Sequence, residues 1–572
     1  MAHHNTLQGL FRKEVGTLAV LFAFFALTIF CRISEFRDIQ SWYGVLPASF
    51  VFTAIYFFLY RLLLRVSVWH LSLVWLSIPY FIFAFGWLQV YWAIVCVIVW
   101  CIALYRTMRA EKNTGLTING SRLAGLLLVL VWVYLSGAGG HGNQSPDYNM
   151  HNGRLLDLIN EPWPVHFTEG YWATHPEYGP GHTYLVGYTA YYLPSAWIGK
   201  WLGYDRALEC MHVWTLAGCW LALAWLWKLS GARTGLMAAV LMIAFGGWDI
   251  AGVCIELLRG PHGDSWQHVW AALREYMSHA SEDTGSLDFW PVGQFRYFFG
   301  NFLSNSSEIF WSPHQTIAAW VVSALLLQAF LSGGLRYVFF VYALIVYWSP
   351  MNMVTTALFP LALVLHRGAA GIREALSFEN TLAAGAIMLV FGLYYLSGSS
   401  LVNPAGWLWQ KTDLSLVWWV FPVFHLLAWG IYALIVAVGW KLLPAEKLFF
   451  LVLCSSFLFL SLVSYGQYND LLCRGATALM FAMLLLVQRR IHALSEQRKF
   501  IAVLCVCLLL LPGTVSCLQH IQRSILYRDQ QVKPQSVSDY RDGWEFLGSA
   551  DSIFFRFLAR NPSADSHVKA VE

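Results

Sequence analysis

Four polar clusters interrupt an otherwise apolar chain, and each holds side chains able to move protons or grip anions. The first, HGNQSPDYNMHNGRLLDLINEPWPVHF from His141 to Phe167, has helical spacing after Pro146. Asp147, His151 and Arg154 fall on one face, with Leu155, Leu158 and Ile159 supplying an apolar side. A carboxylate one turn from an imidazole at a membrane surface suits a general base, or a ligand pair for a divalent cation. The same spacing also describes a short amphipathic helix with solvated charges. Glu161-Pro162-Trp163-Pro164 then ends the helix, because proline cannot continue it. In the second cluster, THPEYGPGHTYL from Thr174 to Leu185, prolines and glycines fix a rigid entry to the next segment. His175 there either faces a substrate or decorates a turn at the membrane surface.

The third cluster fills 258–314. Its His and acidic residues lack a metal-binding spacing, whereas Arg296 sits among aromatics and Trp311-Ser312-Pro313-His314-Gln315 leads straight into an apolar run. A helix N-terminus offers free N–H groups that suit a phosphate, which places His314 and Gln315 at such an end. The fourth cluster runs from Tyr465 to Arg474. Asp470 and Arg474 make an i,i+4 pair at a helix start, so Arg474 either stays in a structural ion pair or grips an anionic headgroup. Asp249, in GGWDI, is a fifth and isolated candidate.

The elements that must position these groups are membrane helices. Of 572 residues, 58% are hydrophobic and only 12% charged, against about 25% charged in a soluble domain. Mean hydropathy is +0.54. A net charge of +4, dispersed along the chain, excludes a nucleic-acid binder. Most of the 11 cysteines lie in apolar runs, where a thiol packs as a small hydrophobe. Apolar segments long enough to span recur along nearly the whole chain, among them 15–33, 43–61 and 337–349, and predict an all-α polytopic membrane protein with about 13–15 transmembrane helices.

The run from Val15 to Cys31 reads as an uncleaved first span. With the N-terminus cytoplasmic, the short inner loops hold more than half of the 36 Lys and Arg residues. Loops 139–206 and 258–314 and the tail 518–572 then share the outer face. Aromatic residues crowd Tyr184 to Leu202, which reads as a helix lying in the headgroup layer. Three regions follow: a four-helix transmembrane addition over 1–121, a transmembrane core over 122–517, and the outer tail 518–572. GWEFLGSADSIFFRFLAR in that tail is amphipathic and is expected to pack back on the outer loops or the membrane surface.

Together these features resemble the GT-C superfamily of integral-membrane glycosyltransferases, such as protein O-mannosyltransferases and lipid A aminoarabinose transferases, over residues 122–517. In that family an outer loop carries an acidic catalytic residue. A His-Pro stretch then leads along the membrane surface into a span that begins near an Arg. Asp147 in SPDYNMH, His175-Pro176 and Arg206 stand at the matching places. Tyr148 stands where the family often has a second acid, and Glu177 where it has a second proline.

The resemblance implies a GT-C-like fold with juxtamembrane helices on the outer face. It implies transfer of a sugar from a polyprenyl-phosphate donor to a glycan, lipid or protein acceptor, on the extracytoplasmic side of a bacterial inner membrane. Arg296, Arg474 and the helix start at His314 would hold the donor phosphate. Asp147 would deprotonate the acceptor, with His151 orienting it or sharing a divalent cation. Arg154, His175, Gln315 and Asp470 would complete substrate binding. Two other classes remain open: an O-antigen-type polymerase or ligase, and a non-enzymatic flippase or transporter of lipid-linked sugars. Transporters usually carry charges at the bilayer midplane and internal repeats, whereas the charges here collect at the outer face.

Overall fold

A computed structural model describes residues 67–111, 116, 118–174, 182–230, 235–259, 267–268, 270–271, 302–398, 405–411, 421–439, 442–466, 469–527, 532–540 and 543–560. The chain divides into two compact units: Met1–His70 with Asn113–Ile118, and Leu71–Lys112 with Asn119–Glu572. All interactions below lie within the second. Residues 71–112, grouped by sequence with the N-terminal addition, belong to this larger unit.

The helices that build it are α1 (Val68–Trp87), α2 (Val90–Ala110), α3 (Gly120–Leu135), α4 (Tyr148–Asn160), α5 (Leu193–Leu202) and α6 (Tyr204–Ser230). They continue with α7 (Gly235–Ala244), α8 (Asp249–Arg259), α9 (Asn305–Trp311), α10 (Pro313–Ser332), α11 (Pro350–His366) and α12 (Gly368–Ala375). The last are α13 (Glu379–Leu396), α14 (Phe421–Ala437), α15 (Pro444–Leu460), α16 (Asp470–Glu496) and α17 (Phe500–Leu526). Among the described residues, two small antiparallel ladders accompany them. The first pairs β1 (His182–Leu185) with β4 (Leu547–Ser549), and the second pairs β2 (Gly406–Trp407) with β3 (Val463–Ser464). The protein is an all-α polytopic membrane protein.

Among the described residues, eight helices are long and apolar enough to cross a bilayer, or nine if the pair α11 and α12, bent by 120°, counts as one span. The expectation of about 13–15 is therefore higher than the described chain carries. Two expected spans, 15–33 and 43–61, lie outside the described residues. Others are shorter than the apolar runs that suggested them. The run 337–349 forms only a six-residue helix, Val338–Ala343, and Phe340, Val341, Tyr347 and Trp348 are buried by protein. An apolar run reads the same whether lipid or neighbouring helices surround it. Pro350 then starts a new helix, with Ser349 Oγ capping the Asn352 N–H.

Helix α5 has ten residues, a length of about 15 Å, half of what a ~30 Å hydrocarbon core requires. Trp197, Trp201 and Leu202 are exposed while Leu193, Ser195 and Ala196 are buried, so one face packs and the other does not. Gly203, at φ +86°, turns the chain into α6. The expected tail boundary at 518 falls inside α17, which continues to Leu526. Beyond it the tail folds back: Val537 donates its N–H to Asp157 Oδ2 at 2.8 Å on α4, and β4 pairs with β1. A Cβ on Gly153 of α4 would lie 1.7 Å from Gln535 O, so this approach requires glycine.

Indole stacking holds the membrane core. Trp75 on α1 stacks on Trp214 of α6 and on Trp348, at centroid distances of 5.0 and 4.5 Å, and those two stack on each other at 6.3 Å. At Gly218 on α6 an added Cβ would meet Ile317 of α10 at 2.4 Å and Trp75 at 2.6 Å. Gly218→Ala should therefore overpack this three-helix junction and cost about 1–3 kcal/mol. A lowered thermal midpoint in detergent is the expected result; an unchanged midpoint would show that the junction yields without strain.

Candidate functional site

The four helices that meet below the folded-back tail carry most of the polar residues singled out by sequence. Asp147 starts α4, and its charge acts on Tyr192 and on Arg474 at the start of α16. One turn on, His151 is buried, with Nδ1 2.5 Å from Tyr192 Oη and Nε2 2.9 Å from Trp311 O. A carbonyl oxygen only accepts, so Nε2 carries the proton and Nδ1 accepts from the Tyr192 hydroxyl. Burial, reinforced by the Arg154 charge, holds this imidazole down to about 3, hence neutral. Both ring nitrogens are thus committed, and His151 has no lone pair left for a metal. The alternative in which Asp147 and His151 share a divalent cation would require His151 to give up its Nδ1 contact with Tyr192 Oη. Among the described residues, no group of three or more His, Cys, Asp or Glu side chains is placed to hold a metal ion.

Arg154, two turns into α4, is completely buried. Its guanidinium lies 3.7 Å from the Phe546 ring centroid, 5.2 Å from Tyr188 and 6.0 Å from Tyr192. Nη2 contacts Met150 Sδ at 3.3 Å and the guanidinium hydrogen-bonds the Tyr192 side chain, while among the described residues Nε and Nη1 find no hydrogen-bond acceptor. Aromatic faces attract a cation, at about 0.5–2 kcal/mol each, yet they do not use its in-plane N–H donors. Those donors suit an oxyanion.

His314 at the start of α10 lies beside this group. Its ring is 4.6 Å from His151 and stacks on Tyr188 at 5.2 Å. A relay of hydrogen bonds fixes its tautomer. Asn352 Oδ1 accepts from Ala478 N–H at 3.0 Å, so its amide NH2 points at Arg474 O, 2.8 Å away, and at Ser349 Oγ, 2.9 Å away. Ser349 Oγ therefore accepts from Asn352 and donates its own proton to Gln315 Oε1 at 3.0 Å. That turns the Gln315 NH2 toward His314 Nε2, 3.1 Å away. Nε2 accepts, the ring proton sits on Nδ1, and among the described residues Nδ1 has no hydrogen-bond partner.

Arg474 closes the set. It donates from Nη1 to Tyr188 Oη at 3.3 Å and keeps Asp470 Oδ1 at 3.5 Å from Nε. Beneath it Glu308 of α9 is buried and accepts from Ser312, Thr316 and Thr477 hydroxyls at 2.8, 3.0 and 2.5 Å.

Of the residues expected from sequence, Asp147, His151, Arg154, His314, Gln315, Asp470 and Arg474 thus gather around one centre. His175 and Arg296 lie outside the described residues. Asp249 is elsewhere, under Gly247 beside α14. Sequence reasoning missed Tyr188, Tyr192, Glu308 and Phe546. The two tyrosines were noted only as interfacial aromatics, and Phe546 stands over 350 residues from Arg154 with no local signal. Glu308 had a signal: it is an acid framed by small hydroxyl residues in SNSSEIFWS, just before a span. Two guanidiniums and an unmatched imidazole N–H, walled by aromatic rings, can bind a phosphate-like group and stabilise charge that develops on it.

Burial raises the Glu308 carboxyl from 4.5 to about 7, against the pull of its hydroxyl donors and Arg474. A folded value above the unfolded one means that Glu308 supports folding fully below about 4.5 and loses that contribution as pH rises through about 7. Asp157, raised by its own burial to about 6, acts in the same direction, so the difference between native protein and Glu308→Gln isolates Glu308. The thermal midpoint in detergent should fall from about pH 5 to pH 8, with a shallower slope in Glu308→Gln. Equal slopes would contradict this assignment. Compared with family models, characterised proteins and solved structures, the chain matches none.

Proposed function

We propose that this protein is a membrane-embedded glycosyltransferase that takes a sugar from a polyprenyl-phosphate donor on the extracytoplasmic face of a bacterial inner membrane. The observation that carries the reading is the cluster of unmatched N–H donors, Arg154 Nε and Nη1 with His314 Nδ1, next to Arg474. A sugar phosphate is the substrate whose leaving group places negative charge there.

In the proposed reaction the acceptor hydroxyl attacks the anomeric carbon as the bond from that carbon to the phosphate oxygen breaks. The phosphate leaves with the electron pair and is held by Arg154, Arg474 and His314. Asp147 takes the acceptor proton. His151, locked neutral between Tyr192 and Trp311, positions Tyr192 and the rings around the phosphate. Fixed donors around the leaving group supply the larger share of rate, and proton abstraction about 100- to 10,000-fold.

A second reading follows from the two guanidiniums: Arg154 and Arg474 suit the two phosphates of a lipid diphosphate, the donor type of O-antigen polymerases and ligases. Proteoliposomes given radiolabelled donor separate the two, with a polyprenyl-phosphate monosaccharide in one arm and a polyprenyl-diphosphate oligosaccharide in the other. The first reading expects sugar loss only from the monophosphate. Asp147→Asn should lower that transfer at least ~100-fold while leaving the protein folded and inserted. Arg154→Lys, which keeps charge and loses the planar fork, should lower it about 10- to 100-fold. Full activity in either variant removes that residue from the reaction, and turnover of neither donor overturns both readings.

A further inference from the structure

Away from this centre, α14, α16 and α17 enclose a groove of about 990 Å³ whose walls are apolar, among them Leu434, Val438, Ile501 and Cys505. One end of it is strongly basic. Arg490, Arg498 and Lys499 line that end, and no acidic residue lines the groove. The turn that carries two of them is tight: Arg498 has a φ of +57°, and the Lys499 N–H reaches back to Leu494 O at 3.0 Å. Arg490 is anchored by a 2.7 Å hydrogen bond from Nη2 to Val438 O, which fixes a cation at the groove mouth. Among the described residues, none of the three cations forms an ion pair with a carboxylate.

The location in the membrane follows from α16. Arg474 and Arg490 sit on the same helix, sixteen residues apart, or about 24 Å at 1.5 Å per residue. The basic end of the groove therefore lies near the membrane face opposite the candidate site, the face where the short loops concentrate Lys and Arg. An apolar trough open to the bilayer, ending in unpaired cations at headgroup level, matches one chemistry: acyl chains beneath a phosphate.

We propose that this groove binds an anionic glycerophospholipid of the leaflet opposite the candidate site, with its acyl chains between α14 and α17 and its headgroup phosphate on Arg490, Arg498 and Lys499. The inference does not depend on the glycosyltransferase reading, because no residue is shared between the two sites.

Native mass spectrometry of the purified full-length protein tests it, with phosphatidylglycerol and phosphatidylethanolamine of identical acyl chains as probes. One phosphatidylglycerol should be retained in preference to phosphatidylethanolamine. Arg498→Asn with Lys499→Gln should weaken that retention roughly 30-fold, from about a fivefold loss per cation. Asparagine is chosen because it tolerates the left-handed backbone at 498. Leu434→Trp keeps every charge and fills the trough, and it too should lose the lipid. Equal retention of both lipids, or retention that survives either variant in a monodisperse preparation, overturns the proposal.

Discussion

A buried guanidinium, Arg154, that pairs with no carboxylate among the described residues sets the terms for the centre of this protein. Removing a charge from water costs several kcal/mol even after the surroundings relax. Three aromatic faces around Arg154 return about 0.5–2 kcal/mol each. They compensate the charge and leave the N–H donors of Nε and Nη1 unmatched. His314 Nδ1 adds a third unmatched donor, and Arg474 a second cation. An arrangement that is costly when empty and satisfied by an oxyanion is what a phosphate-handling centre needs, because preorganised donors do not have to reorganise as charge develops.

The rest of the fold can be understood as the scaffold for that arrangement. Helix α4 lies outside the spans and presents Asp147, His151 and Arg154 from successive turns. The tail crosses it at Gly153, is pinned by Asp157, and lays Phe546 against the guanidinium. The β1–β4 ladder ties this tail to the strand that leads to Tyr188 and Tyr192. On the membrane side, the relay from Ala478 through Asn352, Ser349 and Gln315 couples the third turn of α16 to the tautomer of His314. Each link joins segments far apart in sequence, so the centre exists only when the helices are packed.

That remoteness explains what the sequence revealed and what it concealed. Membrane helices were legible because a bilayer demands long apolar runs, and α5 was legible as a non-spanning helix from its aromatic load. His314 and Arg474 stood out because polar groups at span ends are costly and rare, and Asp147 because it stands one helical turn from His151. Their nearness in space was not legible, because spacing says nothing about contacts between helices hundreds of residues apart. The number of spans was overread at 337–349, where protein and not lipid buries the apolar residues. The commitment of His151 to Tyr192 and Trp311 was hidden, since spacing shows which residues share a helical face and not which distant hydroxyl or carbonyl they meet. Phe546 was hidden for the same reason: a tail strand's partner is set by tertiary packing.

The most direct test of an anion-binding centre is an experimental structure of the protein with polyprenyl phosphate added. The account predicts phosphate oxygens within about 3 Å of Arg154 and His314 Nδ1, with Arg474 alongside. A phosphate seated elsewhere on the protein, with Arg154 still enclosed by its three rings and its N–H groups unmatched, would contradict it.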